Sequence, residues 1–161
     1  MPELQRLRAD HADAVLAFEQ ENRAYFAAAI PDRGDEFFEH FAEQHREVLA
    51  EQDSGQHAYH VLVGDGGEVL GRFNLRDLGD GTAELGYRVA QKVAGRGVAT
   101  AAVREICRLA SAEYGLRSLS ARTTLANIGS QKVLARAGFV PVGETELNGK
   151  PALRYLRDLL A

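Results

Sequence analysis

Thr82 to Thr100 reads TAELGYRVAQKVAGRGVAT. Its first eight residues, TAELGYRV, suit a strand, Ala94-Gly95-Arg96-Gly97 is a turn, and the small residues from Val98 onward suit the start of a helix. A turn that feeds a helix leaves backbone amides without partners, because the first four N–H groups of a helix have none within it. The helix dipole adds partial positive charge at the same end. Such a turn can hold phosphate oxygens if no side chain blocks their approach; Gly95 and Gly97 give that clearance and Arg96 adds a formal charge. Glycines before a helix are also ordinary turn formers, so the residues alone leave both readings open.

Upstream, HAYHVLV (57–63) and EVLGRFNL (68–75) are short runs bounded by Gly64-Asp65-Gly66-Gly67 and Gly79-Asp80-Gly81. With 82–89 they predict a meander of antiparallel strands. Before them, 10–30 predicts an amphipathic helix with Asp10 as N-cap, an apolar side through Val15, Phe18 and Phe26, and a stop at Pro31. A second helix is expected from Asp35 to Glu51 on Phe37, Phe41 and Val48. Downstream, Gly97 to about Tyr114 carries an apolar stripe of Val98, Ala102, Ile106 and Leu109, with Val103, Cys107 and Ala110 beside it. So broad a stripe suits a helix lying on a sheet. SLSART (118–123) reads as a strand, Ile128 to Ala137 as a short helix capped by Asn127 and closed by Gly138, and FVPVGET with KPALRYL as a hairpin turned at Asn148-Gly149. The order αα, βββ, αβα, ββ predicts an α/β (α+β) fold, a sheet with helices on its faces.

At 161 residues the chain has room for one domain, 1–161, and its 45% hydrophobic content is enough for a core of its own. The single cysteine excludes an internal disulfide framework, and no secretion-type segment is recognisable near Met1, which predicts a cytoplasmic location. No apolar stretch approaches the roughly 20 residues needed to cross a bilayer, so no membrane role is expected. A net charge of −4 argues against bulk nucleic-acid binding. That figure conceals a division: residues 10–53 carry twelve Asp and Glu against three Arg, whereas 88–136 carry nine Lys and Arg against two Glu. Such halves would draw a cationic amine to one side and an anionic ligand to the other, or they are simply solvated helix faces. The five histidines have no metal-ligand spacing, and no metal is expected.

The glycine turn is neither of two better-known phosphate loops: GxxxxGK[ST] is absent, and the dinucleotide fingerprint lacks its third glycine and following acid. AGRGVA (94–99) instead resembles the acyl-CoA pyrophosphate loop, Q/R-x-x-G-x-G/A, of the GNAT superfamily of N-acetyltransferases. NIGSQKVLARAGF (127–139) resembles the second signature that follows it, and AELGYRV on the preceding strand is similar to the RimJ/RimL branch. That branch acetylates N-terminal α-amines of ribosomal proteins and also includes enzymes acting on small amines. The resemblance implies a mixed, mostly antiparallel sheet of six to seven strands, splayed between the fourth and fifth strands, here TAELGYRV and SLSART. Residues 57–157 would form the acyl-CoA-binding core and 10–54 the helical acceptor side. Acetyl-CoA would be the co-substrate. It would be held by Ala94, Gly95, Arg96, Gly97, Val98, Ala99 and Thr100 at its pyrophosphate, by the backbone of Tyr87, Arg88 and Val89 along pantetheine, and by Asn127 and Ser130 near the sulfur. Ala94 departs from the usual Gln or Arg, which removes a side-chain contact and keeps the backbone cradle.

The chemistry needs a neutral amine, and a lysine-type amine has a pKa of about 10.4 against about 7.7–8.0 for an α-amine. Glu84, mid-strand in a largely apolar run, is the expected base or amine-steering group, and burial there would raise its pKa; otherwise it is an exposed strand residue sharing a face with Thr82 and Arg88. Many relatives place a Tyr on the helix after the Asn, where this chain has Leu134. The expected donor to the departing sulfur is therefore Ser130, with water as the fallback. Without the resemblance, Asn127 is an N-cap and Ser130 a first-turn residue. Tyr25, Phe26 and the Ile30-Pro31 corner are candidates for the acceptor pocket, and Cys107 is expected to pack in the core. Together these imply an acetyl-CoA-dependent N-acetyltransferase working by direct attack in a ternary complex on a peptide N-terminus or a small amine, as a monomer or homodimer. The alternatives are a non-catalytic CoA-binding module and an enzyme using another acyl donor.

Overall fold

The computed structural model describes residues 1–160. Its strands are β1 (Glu3–Arg6), β2 (Ala58–Val63), β3 (Val69–Gly79), β4 (Thr82–Val89), β5 (Ser118–Thr124), β6 (Val140–Leu147) and β7 (Lys150–Asp158), joined in one sheet of order β1-β2-β3-β4-β5-β7-β6. Every neighbouring pair is antiparallel except β4 and β5. The expected meander is present, and the last hairpin turns at Asn148 and Gly149, whose φ of +53° and +75° make the left-handed pair that a two-residue turn needs. The four-residue β1 escapes a sequence reading, because ELQR carries no apolar alternation and is ordered by pairing with β2.

The helices are α1 (Ala12–Glu21), α2 (Arg23–Ala27), α3 (Asp35–Glu39), α4 (Phe41–Asp53), α5 (Val98–Ala112) and α6 (Ile128–Arg136). Each of the two long helices expected in the acidic segment is broken. At Asn22 the backbone leaves helical geometry (φ −104°, ψ 8°); its amide nitrogen donates to Phe18 O, and its Oδ1 accepts from the Gln91 amide beyond β4. The side chain thus exchanges a straight helix for a tether to the loop near the glycine turn. The second break falls at His40, with φ −114° and ψ 30°. Asp10 is not the N-cap: Ala9–His11 form a 3₁₀ turn, and the Arg8 amide donates to His11 Nδ1 at 2.9 Å.

Helices cover both faces. On one, α5 buries Ala102, Val103, Ile106, Cys107 and Ala110 against Phe73, Leu75, Leu85 and Leu119, joined by Leu134 of α6. On the other, Val15, Phe18, Phe26, Phe41 and Val48 from α1, α2 and α4 pack on Tyr59, Val61 and Val69. Cys107 is a core residue as expected, with burial pushing its thiol up to about 11 and away from reactivity. Among the described residues no helix is long and apolar enough to cross a membrane, and no group of three or more His, Cys, Asp or Glu is arranged to hold a metal ion.

Candidate active site

The parallel pairing of β4 with β5 stops early. Thr82 to Leu85 pair with Ser118 to Ala121, after which Gly86–Val89 and Arg122–Thr124 diverge. On their outer edges both continue to pair, β4 with β3 as far as Val89 and β5 with β7 as far as Thr124. The sheet therefore opens between two strands that are each held firmly from behind, and the backbone of Gly86–Val89 facing the gap is unpaired. Below the gap, Ala94 N donates to Gln91 O, and the next backbone amide with a protein acceptor is that of Ala101, to Gly97 O. The amides of residues 95–100 donate to no protein acceptor among the described residues, and Gly97, the N-cap, brings no side-chain cap. Gly95 and Gly97 hold φ of +74° and +77°, and a Cβ on either would meet nothing within 4 Å, so the cradle is open. A row of free N–H groups at the head of α5 suits a diphosphate, and a gap with free strand edges suits the amides of pantetheine.

Asn127 caps α6, its Oδ1 accepting from Ser130 N at 3.1 Å. The Ser130 hydroxyl lies 3.0 Å from the Tyr87 hydroxyl, which reaches it from the splayed half of β4. Tyr87 stacks on Phe73 at 5.6 Å, and burial pushes its phenol up to about 12. It therefore stays protonated, and either hydroxyl can donate to the other; with Tyr87 donating, the Ser130 proton is free to be given elsewhere.

The opposite face of the same strands is rich in arginine. Glu84 is half-buried, with both carboxylate oxygens held by Arg122 at 2.8 and 3.1 Å. Glu19 of α1, 1% exposed, accepts from Arg72, Arg88 and Arg33 at 2.8, 3.1 and 3.1 Å. Burial would raise its carboxyl; the three guanidiniums, Arg33 foremost, overcome that and hold it below the ordinary value. Phe26, Pro31, Phe38, Arg33 and Arg88 line a cleft beside this cluster. A cavity of about 190 Å³ adjoins it between Ala27, Ala29, Ile30 and Pro31 on one side and Thr124, Asn148 and Lys150 on the other.

Comparison with known proteins agrees with this architecture. The family described as "Acetyltransferase (GNAT) domain" matches residues 3–140. The chain belongs to the GNAT acetyltransferase family. The GNAT chain is 27% identical over 151 residues to the probable N-acetyltransferase YjcK of Bacillus subtilis (strain 168), an alignment covering 89% of this chain and 83% of that one. Its fold is similar to the ribosomal-protein-S5-alanine acetyltransferase of Vibrio fischeri, with a TM-score of 0.89 at 20% identity, covering 98% of this chain and 92% of that one. It is also similar to Mycobacterium smegmatis RimJ, solved in complex with CoA-disulfide, with a TM-score of 0.85 at 23% identity, covering 96% and 80%. It is an N-acetyltransferase of RimJ/RimL-like fold with acetyl-CoA as its co-substrate.

Of the residues singled out in the GNAT sequence, the structure brings Tyr87, Arg88, Val89 and residues 94–100 to one end of the gap, with Asn127 and Ser130 across it. Arg88 turns its side chain away, to Glu19. Phe26 lines the cleft and Pro31 lines both recesses, whereas Tyr25 is 39% exposed and lines neither. The Tyr87 hydroxyl, Arg122, Glu19, Arg33 and Arg72 went unread in the sequence. Glu19 had a signal: Val15, Phe18, Asn22 and Phe26 are buried at helical spacing, and Glu19 sits in their register.

Proposed function

We propose that this enzyme transfers the acetyl group directly from acetyl-CoA to a primary amine, an N-terminal α-amine or a small-molecule amine, with both substrates bound at once. The observation that carries the reading is the opening of β4 from β5 directly above the partnerless amides of 95–100. Those amides and Arg96 bind the diphosphate, and the free edge of Tyr87–Val89 takes the pantetheine amides. Glu84 receives the amine: its oxygens have lone pairs left after Arg122 is served, and its partial exposure lets the amine proton pass on through water. As the N–C bond forms and the C–S bond breaks, the electron pair leaves on sulfur. Ser130 donates a hydrogen bond there, its own oxygen held by Tyr87, and solvent supplies the final proton. An α-amine, with a pKa of about 7.7–8.0, is neutral near pH 7 far more often than a lysine-type amine at about 10.4, which favours it as the acceptor. The reaction belongs in the cytoplasm.

Calorimetry with acetyl-CoA followed by a thiol-release screen over peptides and small amines tests this. Binding is expected without any amine, and free thiol only when a primary amine is present, with Glu84→Gln slowing its appearance. Binding with no thiol from any amine would mean a CoA-binding module and not an enzyme.

A further inference from the structure

Arg72 and Arg88 stand directly opposite one another on β3 and β4. Like charges in that position are unfavourable unless something answers them. Glu19 does so, its Oε2 accepting from Arg72 and its Oε1 from Arg88, but the same carboxylate also receives Arg33. Three guanidiniums thus share one carboxylate, and two positive charges in the group have no counter-ion of their own. Arg23 nearby is answered by both Asp32 and Asp35, one carboxylate more than it needs, so the excess around the cleft is one positive charge. Uncompensated charge in a half-buried site is costly. Apart from its bond to Glu19, the Arg88 guanidinium makes no hydrogen bond among the described residues, so most of its fork is unused. Burial, and next the charge of Arg33, push Arg88 down to about 10, and the face of its guanidinium lies over the Phe26 ring at 4.7 Å.

The excess charge reaches the surface of the molecule. Arg88 and Arg33 retain 17% and 29% exposure and border the cleft with Phe26 and Phe38. Pro31 lines both that cleft and the 190 Å³ cavity, whose lining contains Lys150 and no carboxylate. In the two linings together the carboxylates are Glu19 and Asp32, and both are already engaged by arginine.

We propose that the acceptor amine also carries an anionic group, a carboxylate above all, which the free edges of the Arg33 and Arg88 guanidiniums seat while the amine faces Glu84. The inference rests on the acetyl-transfer reading and names its substrate class: an amino acid, or a peptide with an acidic side chain beside its N-terminus. A polyamine, cationic at every nitrogen, meets repulsion here. The planar guanidinium fork matches a carboxylate in a way that a lone ammonium does not.

The test uses matched acceptors in the thiol-release assay: free amino acids against their amides, and C-terminally amidated dipeptides with Asp against Asn at the second position. One of the two sets is expected to favour its acidic member by about tenfold in kcat/KM, the worth of one charge-assisted hydrogen bond. Which set does so tells a small amino acid from an acidic peptide. Arg33→Gln is expected to cut that ratio by about fivefold, and Arg33→Lys to restore part of it. A readout without turnover accompanies it: millimolar malonate raises the melting temperature of the wild type by a few degrees and that of Arg33→Gln by less. Equal use of acid and amide in both sets, or an equal malonate shift in both proteins, overturns the proposal. If no amine releases thiol at all, the acetyl-transfer reading fails instead, and the malonate comparison still decides the anion site.

Discussion

Gly97 ends the turn at a φ of +77° with open space where a Cβ would be. Gly97→Ala therefore costs the folded protein only the strain of a left-handed alanine, about 1 kcal/mol. The added methyl projects beside the free amides, so the loss in acetyl-CoA affinity should be larger, about tenfold or more. A urea midpoint that barely moves beside a calorimetric Kd that rises steeply would be the expected pair of results. Tyr87→Phe removes only the hydroxyl that orients Ser130. One hydrogen bond of that kind is worth about 1 kcal/mol, so kcat should fall about fivefold with the KM for acetyl-CoA unchanged. Ser130→Ala should fall at least as far, and the double variant no further than Ser130→Ala alone, because the two groups act as one unit. Additive losses would separate them. Of this pair, the sequence reading reached Ser130 and the backbone of Tyr87. The phenol went unseen because its partner lies 43 positions away across a gap that only the splayed strands define.

Whole elements were legible where the local pattern was strong. The meander, the broad stripe of α5, the Asn127 cap and the Asn148-Gly149 turn are all written in adjacent residues. The helical pair was misread as continuous because Asn22 and His40 break it through contacts or geometry that spacing does not encode. His60 of β2 shows the same limit: on an apolar strand it is buried, placing Nδ1 3.3 Å from Phe73 O and Nε2 2.9 Å from the Tyr114 hydroxyl. Neutral imidazole fits that arrangement, donating to the carbonyl and accepting from the phenol. Burial pushes His60 down to about 4 from an ordinary 6.5. On acidification the unfolded chain takes up this proton first, so the stability is fully present above about pH 6.5, declines down to pH 4 and then levels. The loss over that window is about 3 kcal/mol. Urea midpoints measured from pH 7 to 4.5 should fall steadily, and His60→Leu, although less stable at pH 7, should show a flatter slope. The depressed carboxyl of Glu19 acts in the same direction but in a lower window, its contribution being lost only as the pH falls below the usual carboxylate range. Burial lowers His11 as well, in the same window and in both proteins, so at pH 5–7 it is the difference in slope between wild type and His60→Leu that belongs to His60.

At the scale of the molecule, the division of charge along the chain does not become a division of the site. Eleven of the twelve acidic residues in 10–53 are exposed, and the twelfth, Glu19, is sunk among three arginines. The helical side therefore presents negative charge to solvent and positive charge to the cleft, an inversion visible only once α1 is laid on β3 and β4. Glu19 is also what fastens those layers, since its carboxylate binds one arginine from each strand and a third from the segment after α2. Glu19→Gln keeps the shape and removes the charge. It leaves Arg72, nearly fully buried, beside two like charges, and breaking a buried pair in this way costs about 3–5 kcal/mol. The urea midpoint should drop accordingly. Were the cluster held only by packing, an added anion would help wild type and variant alike. If instead the missing charge is the whole loss, acetate at tens of millimolar should restore more stability to Glu19→Ala, whose truncated side chain leaves room for a free carboxylate among the three arginines, than it adds to the wild type, where only the outer edges of Arg33 and Arg88 are open to it. Matched chloride solutions separate this from ordinary screening, which reaches about 10 Å at 0.1 M and acts on both proteins equally.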